Sequence, residues 1–154
     1  MYARSIPVLP NNRDSSMSTH VTIIPHTADL AIAITASSYE ELICSAVQNM
    51  FASQKPIYRT KDLQVERTIS VTGIDHESVL VALLNEALWI GATHHESYTH
   101  CAITKVSKTV CIATLVGKSI QRYTGTEIKA ATYHALTIYK DIYGIWHATI
   151  VFDI

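Results

Sequence analysis

The sequence predicts an α+β fold, a single two-layer domain in which a mostly antiparallel β-sheet carries two main helices packed on one face. Three observations lead to this class. Only two segments repeat apolar residues at helical spacing. Most of the remaining chain consists of β-like runs joined by short connections. Finally, 154 residues with 48% hydrophobic side chains suit one compact core, so no second domain is expected.

The N-terminal residues 1–18 are predicted to form a flexible arm, followed by one domain over 19–154. The arm contains one apolar patch that is interrupted by proline and is too short for the apolar core of a secretion signal. Met17, within this arm, is an alternative start of the chain.

Two helices are predicted, each with a capping residue. The first opens at Ser38, and Glu41 follows at the spacing of a capping box, which would satisfy two unpaired backbone N–H groups. The second begins after Gly73, where Asp75 is placed to cap it, and we expect it to end near Gly91. The apolar stripes are Tyr39, Leu42, Ile43, Ala46, Val47, Met50 and Phe51 in the first helix, and Leu80, Leu83, Leu84, Ala87 and Leu88 in the second.

The other segments are predicted to be strands because they are rich in β-branched and aromatic residues. Two short connections among them, Ser107-Lys108 and the sequence DIYG at 141–144, are predicted hairpin turns. The predicted strands are 21–24, 30–35, 67–73, 101–106, 109–117, 127–140 and 145–154.

Alternation along the strands separates two acidic residues from the core. Parity puts Asp29 and Asp153 on the faces opposite the apolar residues of their strands, and the chain ends one residue later, at Ile154. If the first and last strands bring Asp29 to the same edge, three oxygen donors meet there and suit Ca²⁺ or Mg²⁺. The alternative is that Asp29 caps a turn and that Asp153 is a solvated chain end.

The histidines give weaker signals. His26, close to Asp29, is a candidate for metal binding, for proton transfer or for fixing the turn through a hydrogen bond, and we favour the turn. The cluster of His94, His95 and His100 lacks the spacing of a zinc site and indicates a surface loop.

Lys129 and His134 lie in the longest predicted strand. A regular strand over 127–140 would place them on opposite faces, where they cannot form one catalytic pair. Lys129 is then either a solvated strand residue or a contact for a phosphate or a partner.

Composition and motifs exclude several classes of function. The net charge of −1 and the pI near 6.7 provide no overall field that would attract nucleic acid or an anionic membrane. No apolar run is long enough to cross a membrane, and three cysteines without disulfide spacing favour reduced thiols in the cytoplasm. Phosphate-binding glycine loops, nucleophile elbows and zinc-protease helices are absent from the sequence.

Three separated blocks resemble the archease family, small cytoplasmic proteins that assist the RtcB-type RNA ligase of tRNA splicing. The blocks are HTAD at 26–29, GIDHESVLVALLNEAL at 73–88, and the pair EIKAATYHALTI and IWHATIVFDI near the C-terminus. The resemblance spans residues 21–154 and rests mainly on the first and last blocks together.

The resemblance implies an accessory, chaperone-like protein rather than an enzyme, one that promotes guanylylation of the ligase's histidine and sustains multiple turnover. Its metal ligands would be Asp29, Asp153 and the main chain of Ile154, with Ca²⁺ as the first choice and Mg²⁺ or Mn²⁺ as alternatives. Lys129 would have an activating role at the ligase interface, where His26 and His134 are further candidates. Direct contact with nucleic acid or a membrane is not expected, and homo-oligomer formation is left open.

Two other functions are consistent with the residues alone. One is a stand-alone, metal-dependent phosphoester hydrolase that uses Asp29, Asp153 and His26, and it requires turnover without a partner. The other is a chaperone or adaptor that binds no metal, for which a divalent cation would not change the melting temperature.

Overall fold

The structure, a computed structural model, describes residues 18–25, 28–61 and 63–154. Within them the predicted α+β class is confirmed, with two helices and mostly antiparallel strands. Residues 1–17 of the predicted arm and His26 lie outside the described residues. The elements are β1 His20–Pro25, β2 Asp29–Ala36, α1 Tyr39–Ser53, β3 Pro56–Tyr58, β4 Val65–Thr72, α2 His76–His94, β5 Glu96–Val106, β6 Val110–Tyr123, β7 Ala130–Ala131, β8 Thr137–Lys140 and β9 Trp146–Asp153.

The strands divide between two sheets rather than forming one. The first sheet has the order β1-β2-β9, with β7 and β8 both paired to β9, and in the second β3, β4 and β5 all pair with the long strand β6. Helix α1 contacts β2 and β9 of the first sheet and β5 of the second, while α2 contacts β4, β5 and β7. The apolar faces of both helices and both sheets therefore share one core.

The predicted caps of both helices form. The Ser38 hydroxyl accepts a hydrogen bond from the Glu41 N–H at 3.1 Å. The Glu41 carboxylate, however, accepts from the backbone and hydroxyl of Ser37 instead of closing a reciprocal box with Ser38. At α2 the box is complete, because Asp75 accepts from the Ser78 N–H at 2.7 Å and the Ser78 hydroxyl accepts from the Asp75 N–H.

Helix α2 ends close to the predicted place, three residues beyond Gly91, but the terminating role predicted for Gly91 was wrong. The helix continues to His94, and His95 ends it in the left-handed conformation, with its N–H donating to the Gly91 carbonyl. Gly91 is buried, and a Cβ atom there would lie 3.0 Å from the Phe51 ring and 3.0 Å from the Glu96 carbonyl oxygen. The glycine serves close packing between helices rather than termination.

The predicted loop around the histidine cluster is also corrected. His94 closes α2, His95 caps it and His100 lies within β5, which begins at Glu96. All three histidines are exposed. The strand starts this early because its first residues are buried against the core.

The predicted continuous strand over 127–140 is broken into β7 and β8. The Thr132 N–H and hydroxyl both donate to the Val151 carbonyl, and the chain then turns through Ala135, which has a φ of +49°. Lys129 and His134 therefore do not lie on one regular strand. The prediction that they occupy opposite faces assumed such a strand and no longer applies. Both predicted hairpin turns are confirmed, one between β5 and β6 and one between β8 and β9.

In the described part of the chain, no helix combines the length and the apolar character needed to cross a membrane.

Candidate functional site

The start of β2 and the end of β9 meet at one edge of the first sheet. Asp29 at the start of β2 is the direct partner of Asp153 at the end of β9. Asp29 and Asp153 were predicted to lie on the faces opposite the apolar core residues of their strands. This is confirmed, because Ile32 and Ile150 are fully buried whereas Asp29 is half-buried and Asp153 is exposed. The expectation that residues 29 and 153 meet across the sheet is thus confirmed.

Lys129 lies at the same edge, on the other side of β9. Its backbone N–H donates to the Asp153 carbonyl oxygen at 2.8 Å, and the next residue, Ala130, pairs with Asp153 in the ladder. The Lys129 side chain is exposed, and Ile154 packs partly against the core. The beginning of β2, the end of β9 and the segment before β7 thus converge.

The donor set at this edge suits a hard cation. Directly opposed residues on antiparallel strands have Cβ atoms about 5 Å apart, close enough for two carboxylates to bind one ion. The described residues contain no group of three or more His, Cys, Asp or Glu side chains that could hold a metal. A cation between Asp29 and Asp153 would therefore need further ligands, for which the main-chain oxygen of Ile154 is a candidate.

The two histidine candidates are not brought into this set. His134 is exposed in the turn after β7, where its backbone N–H donates to the Thr132 hydroxyl at 3.3 Å. His26 lies outside the described residues. Their roles stay predictions.

Two residues that the sequence did not single out as site residues hold the Lys129 segment from the core side. Asn85 on α2 accepts from the Ala131 N–H at 2.8 Å and donates to the Ala131 carbonyl at 3.1 Å. Gln54, at the end of α1, accepts from the Ile128 N–H at 2.8 Å. Asn85 gave a signal, as a polar residue within an apolar helical run, whereas nothing in the pattern distinguished Gln54.

A second charged cluster lies in the other sheet. Arg67 on β4 donates two hydrogen bonds to the Glu96 carboxylate, at 2.7 and 3.0 Å, and the Tyr98 hydroxyl donates a third at 2.6 Å. The bonds from Arg67 and Tyr98 outweigh the effect of burial and lower the pKa of Glu96, while burial raises the pKa of Tyr98. Every group of this cluster is paired within it, so its role is structural.

The chain matches a known family over most of its length. The family model described as the Archease protein family matches residues 22–154. A protein of Dictyostelium discoideum named "Protein archease-like" is 30% identical over 122 residues, which cover 75% of this chain and 81% of that protein.

Two solved structures are similar to this one. The solution structure of Methanobacterium thermoautotrophicum protein 1598 has a TM-score of 0.64 at 21% identity, covering 87% of this chain and 98% of that one, and it supports the fold alone. The crystal structure of an archease from Thermotoga maritima, described as a possible chaperone, has a TM-score of 0.62 at 25% identity, covering 85% of this chain and 94% of that one.

Proposed function

Because this chain belongs to the archease family, we propose that it is a non-enzymatic accessory protein that activates an RtcB-type RNA ligase of tRNA splicing in the cytoplasm. The observation that carries this proposal is the convergence of Asp29, Asp153 and Lys129 at one edge of the first sheet. These positions lie in the sequence blocks that resemble the family's motifs, and strand pairing brings them together from distant parts of the chain.

The exposure of this edge favours action on a protein partner. Lys129 and Asp153 are both exposed, so the groups that would act are presented outward rather than enclosed around a small substrate. The Lys129 ammonium is a mobile point charge on a flexible stem, suited to a phosphate group of the nucleotide that the ligase activates. Its backbone, in contrast, is tied to Asp153.

A divalent cation, with Ca²⁺ as the first choice and Mg²⁺ or Mn²⁺ as alternatives, would be held by Asp29, Asp153 and the main chain of Ile154. When bound, it would supply positive charge that joins β2 to β9 and screens the two carboxylates from each other. The register of β2 against β9 places Asp29 opposite Asp153, and Asp153 lies beside the Lys129 backbone.

Ligase guanylylation is the direct test. We expect Asp29→Ala and Lys129→Ala each to reduce the stimulated rate of guanylylation about tenfold or more, because each removes a charged group from the activating edge. The measurement is transfer of radiolabelled GMP to a purified RtcB-type ligase with wild-type or variant protein. Glu66→Ala and Lys118→Ala are matched controls, since both residues are exposed on the second sheet.

The outcomes separate the alternatives. Full stimulation by both Asp29→Ala and Lys129→Ala would refute the site, and no stimulation by wild-type protein would refute the function. Hydrolysis of phosphoesters by the protein alone, abolished by Asp29→Asn, would support the hydrolase instead.

Cation binding is tested without the ligase. A ligand that binds only the folded state stabilises it by about 2.7 kcal/mol at a hundredfold excess over its Kd. We therefore expect Ca²⁺ to raise the Tm of wild-type protein, measured by calorimetry against a chelator, and to leave the Tm of Asp29→Ala and of Asp153→Ala unchanged. Equal shifts in wild type and both variants would place the cation elsewhere, and no shift in wild type would favour a metal-free adaptor.

A further inference from the structure

The segment that carries Lys129 is held by amide side chains from both helices. The Ile128 N–H donates to Gln54 Oε1, the Lys129 N–H to the Asp153 carbonyl, and the Ala131 N–H to Asn85 Oδ1, each at 2.8 Å. The three donors come from a stretch of four residues. Lys129 is therefore bracketed by one helix contact on each side and by the end of β9 between them.

Strand pairing alone holds this segment weakly. Strand β7 contains only two residues, which pair with Asp153 and Phe152 of β9. Among the described residues, no strand pairs with the other side of β7. On that side, the Asn85 amide accepts a hydrogen bond from the Ala131 N–H and donates one to the Ala131 carbonyl, as a neighbouring strand would. Gln54 is 1% exposed, so its bond to Ile128 is shielded from water.

We propose that Asn85 and Gln54 are positioning residues that set the place of Lys129 relative to Asp153. The inference rests on the proposed function and extends it to the two helices. The amides fix the backbone on both sides of Lys129, so that its exposed side chain starts from a defined point beside the acidic pair. Small displacements of a reacting or charge-presenting group cost large factors in rate, up to about a hundredfold for 1 Å.

Amide hydrogen exchange tests, independently of any ligase, whether Asn85 and Gln54 hold the backbone on both sides of Lys129. Asn85→Leu keeps the approximate size of the side chain and removes both of its hydrogen bonds to Ala131. We expect exchange at the Lys129 and Ala131 amides to become at least about tenfold faster, with no change at Ile32 and Ile150. In the variant, the segment can open locally without breaking the two hydrogen bonds between Asn85 and Ala131, so opening costs less free energy.

A matched control distinguishes this effect from the loss of any helix-to-strand bond. Gln48 on α1 donates to the Thr99 carbonyl at 2.7 Å, so Gln48→Leu removes a similar bond in the second sheet. It is expected to leave exchange at Lys129 and Ala131 unchanged. Gln54→Met removes the acceptor for Ile128 and serves as the second test variant should Asn85→Leu fold poorly.

Ligase stimulation then tests the functional consequence. A fraction of unfolded activator raises the concentration needed for half-maximal stimulation and leaves the maximum unchanged, whereas a misplaced Lys129 lowers the maximum. We expect Asn85→Leu to lower the maximum about tenfold and to leave the half-maximal concentration unchanged. Because Asn85 acts through Lys129, adding Asn85→Leu to Lys129→Ala should cause no further loss.

The outcomes are distinct. Unchanged exchange at Lys129 and Ala131 in both Asn85→Leu and Gln54→Met overturns the inference whatever the ligase does. An undiminished maximum with Asn85→Leu, when wild type stimulates and Lys129→Ala does not, overturns the inference alone. Failure of wild-type protein to stimulate the ligase overturns the proposed function and, with it, the role of Asn85 and Gln54 in activation.

Discussion

Gly117→Ala is expected to lower the free energy of unfolding by about 3 kcal/mol or more, at the upper end of what overpacking costs. Gly117 lies in β6 opposite Tyr98 of β5, and a Cβ atom there would overlap the Ser97 carbonyl oxygen and lie 2.8 Å from Tyr98 Cα. These are backbone atoms, which cannot rotate away as a side chain can. The beginning of β5 would have to move off β6.

The loss should appear as a fall in Tm of several degrees or more in calorimetry and as a lower midpoint in urea. Gly144→Ala is the matched control. Gly144 has a φ of +82°, but a Cβ atom there would meet only Lys140 Cε, at 3.7 Å, so the cost is backbone strain of about 1 kcal/mol. Equal effects of the two substitutions would show that steric exclusion at Gly117 is not what the fold requires.

Glu96→Gln is expected to lower the free energy of unfolding by about 2–3 kcal/mol at pH 7, the second largest effect. Glu96 is 3% exposed and accepts hydrogen bonds from both Arg67 and Tyr98. The glutamine keeps the volume of the side chain, but it has no negative charge and turns an N–H₂ group toward donors. Tyr98→Phe, which removes a single hydrogen bond and keeps the ion pair, should cost about 1 kcal/mol.

The same substitution should remove part of the protein's sensitivity to acid. The hydrogen bonds from Arg67 hold the pKa of Glu96 below its ordinary value of 4.5. A carboxylate with a lowered pKa in the folded state contributes stability above its unfolded pKa and loses it as the pH falls through its folded pKa. Urea unfolding from pH 7 to pH 3 should therefore show a decline below about pH 4.5 that is smaller in Glu96→Gln. An equal decline in both proteins would contradict this role for Glu96.

The helices and the acidic edge were the features most accessible to sequence reasoning. The α1 stripe from Tyr39 to Phe51 is buried as predicted, and Asp75 caps α2 as predicted. Parity placed Asp29 and Asp153 away from the core, and the β2–β9 register then showed that they are direct partners. These features depend on local hydrogen bonds and on periodicity, which a short stretch of sequence contains in full.

The errors have one cause, which is competition from contacts distant in sequence. Residues 127–140 have strand composition, but Gln54 and Asn85 bind backbone groups of Ile128 and Ala131, and the chain turns at Ala135 with a positive φ. Gly91 resembled a helix terminator, yet its lack of a side chain serves the approach of Phe51. In each case the decisive partner is distant in sequence, so a local pattern does not contain it.

The sequence by itself determined the α+β class, the two helices with their caps, the buried faces, and Asp29 and Asp153 as candidates, because each follows from spacing within one segment. Only the tertiary structure decided that the strands form two sheets, that Asp29 opposes Asp153, and that two helix amides bracket Lys129. The physical reason is that pairing and register depend on which segments exclude water together. Strand pairing and register therefore depend on the packing of the whole core, and no single segment of the sequence determines them.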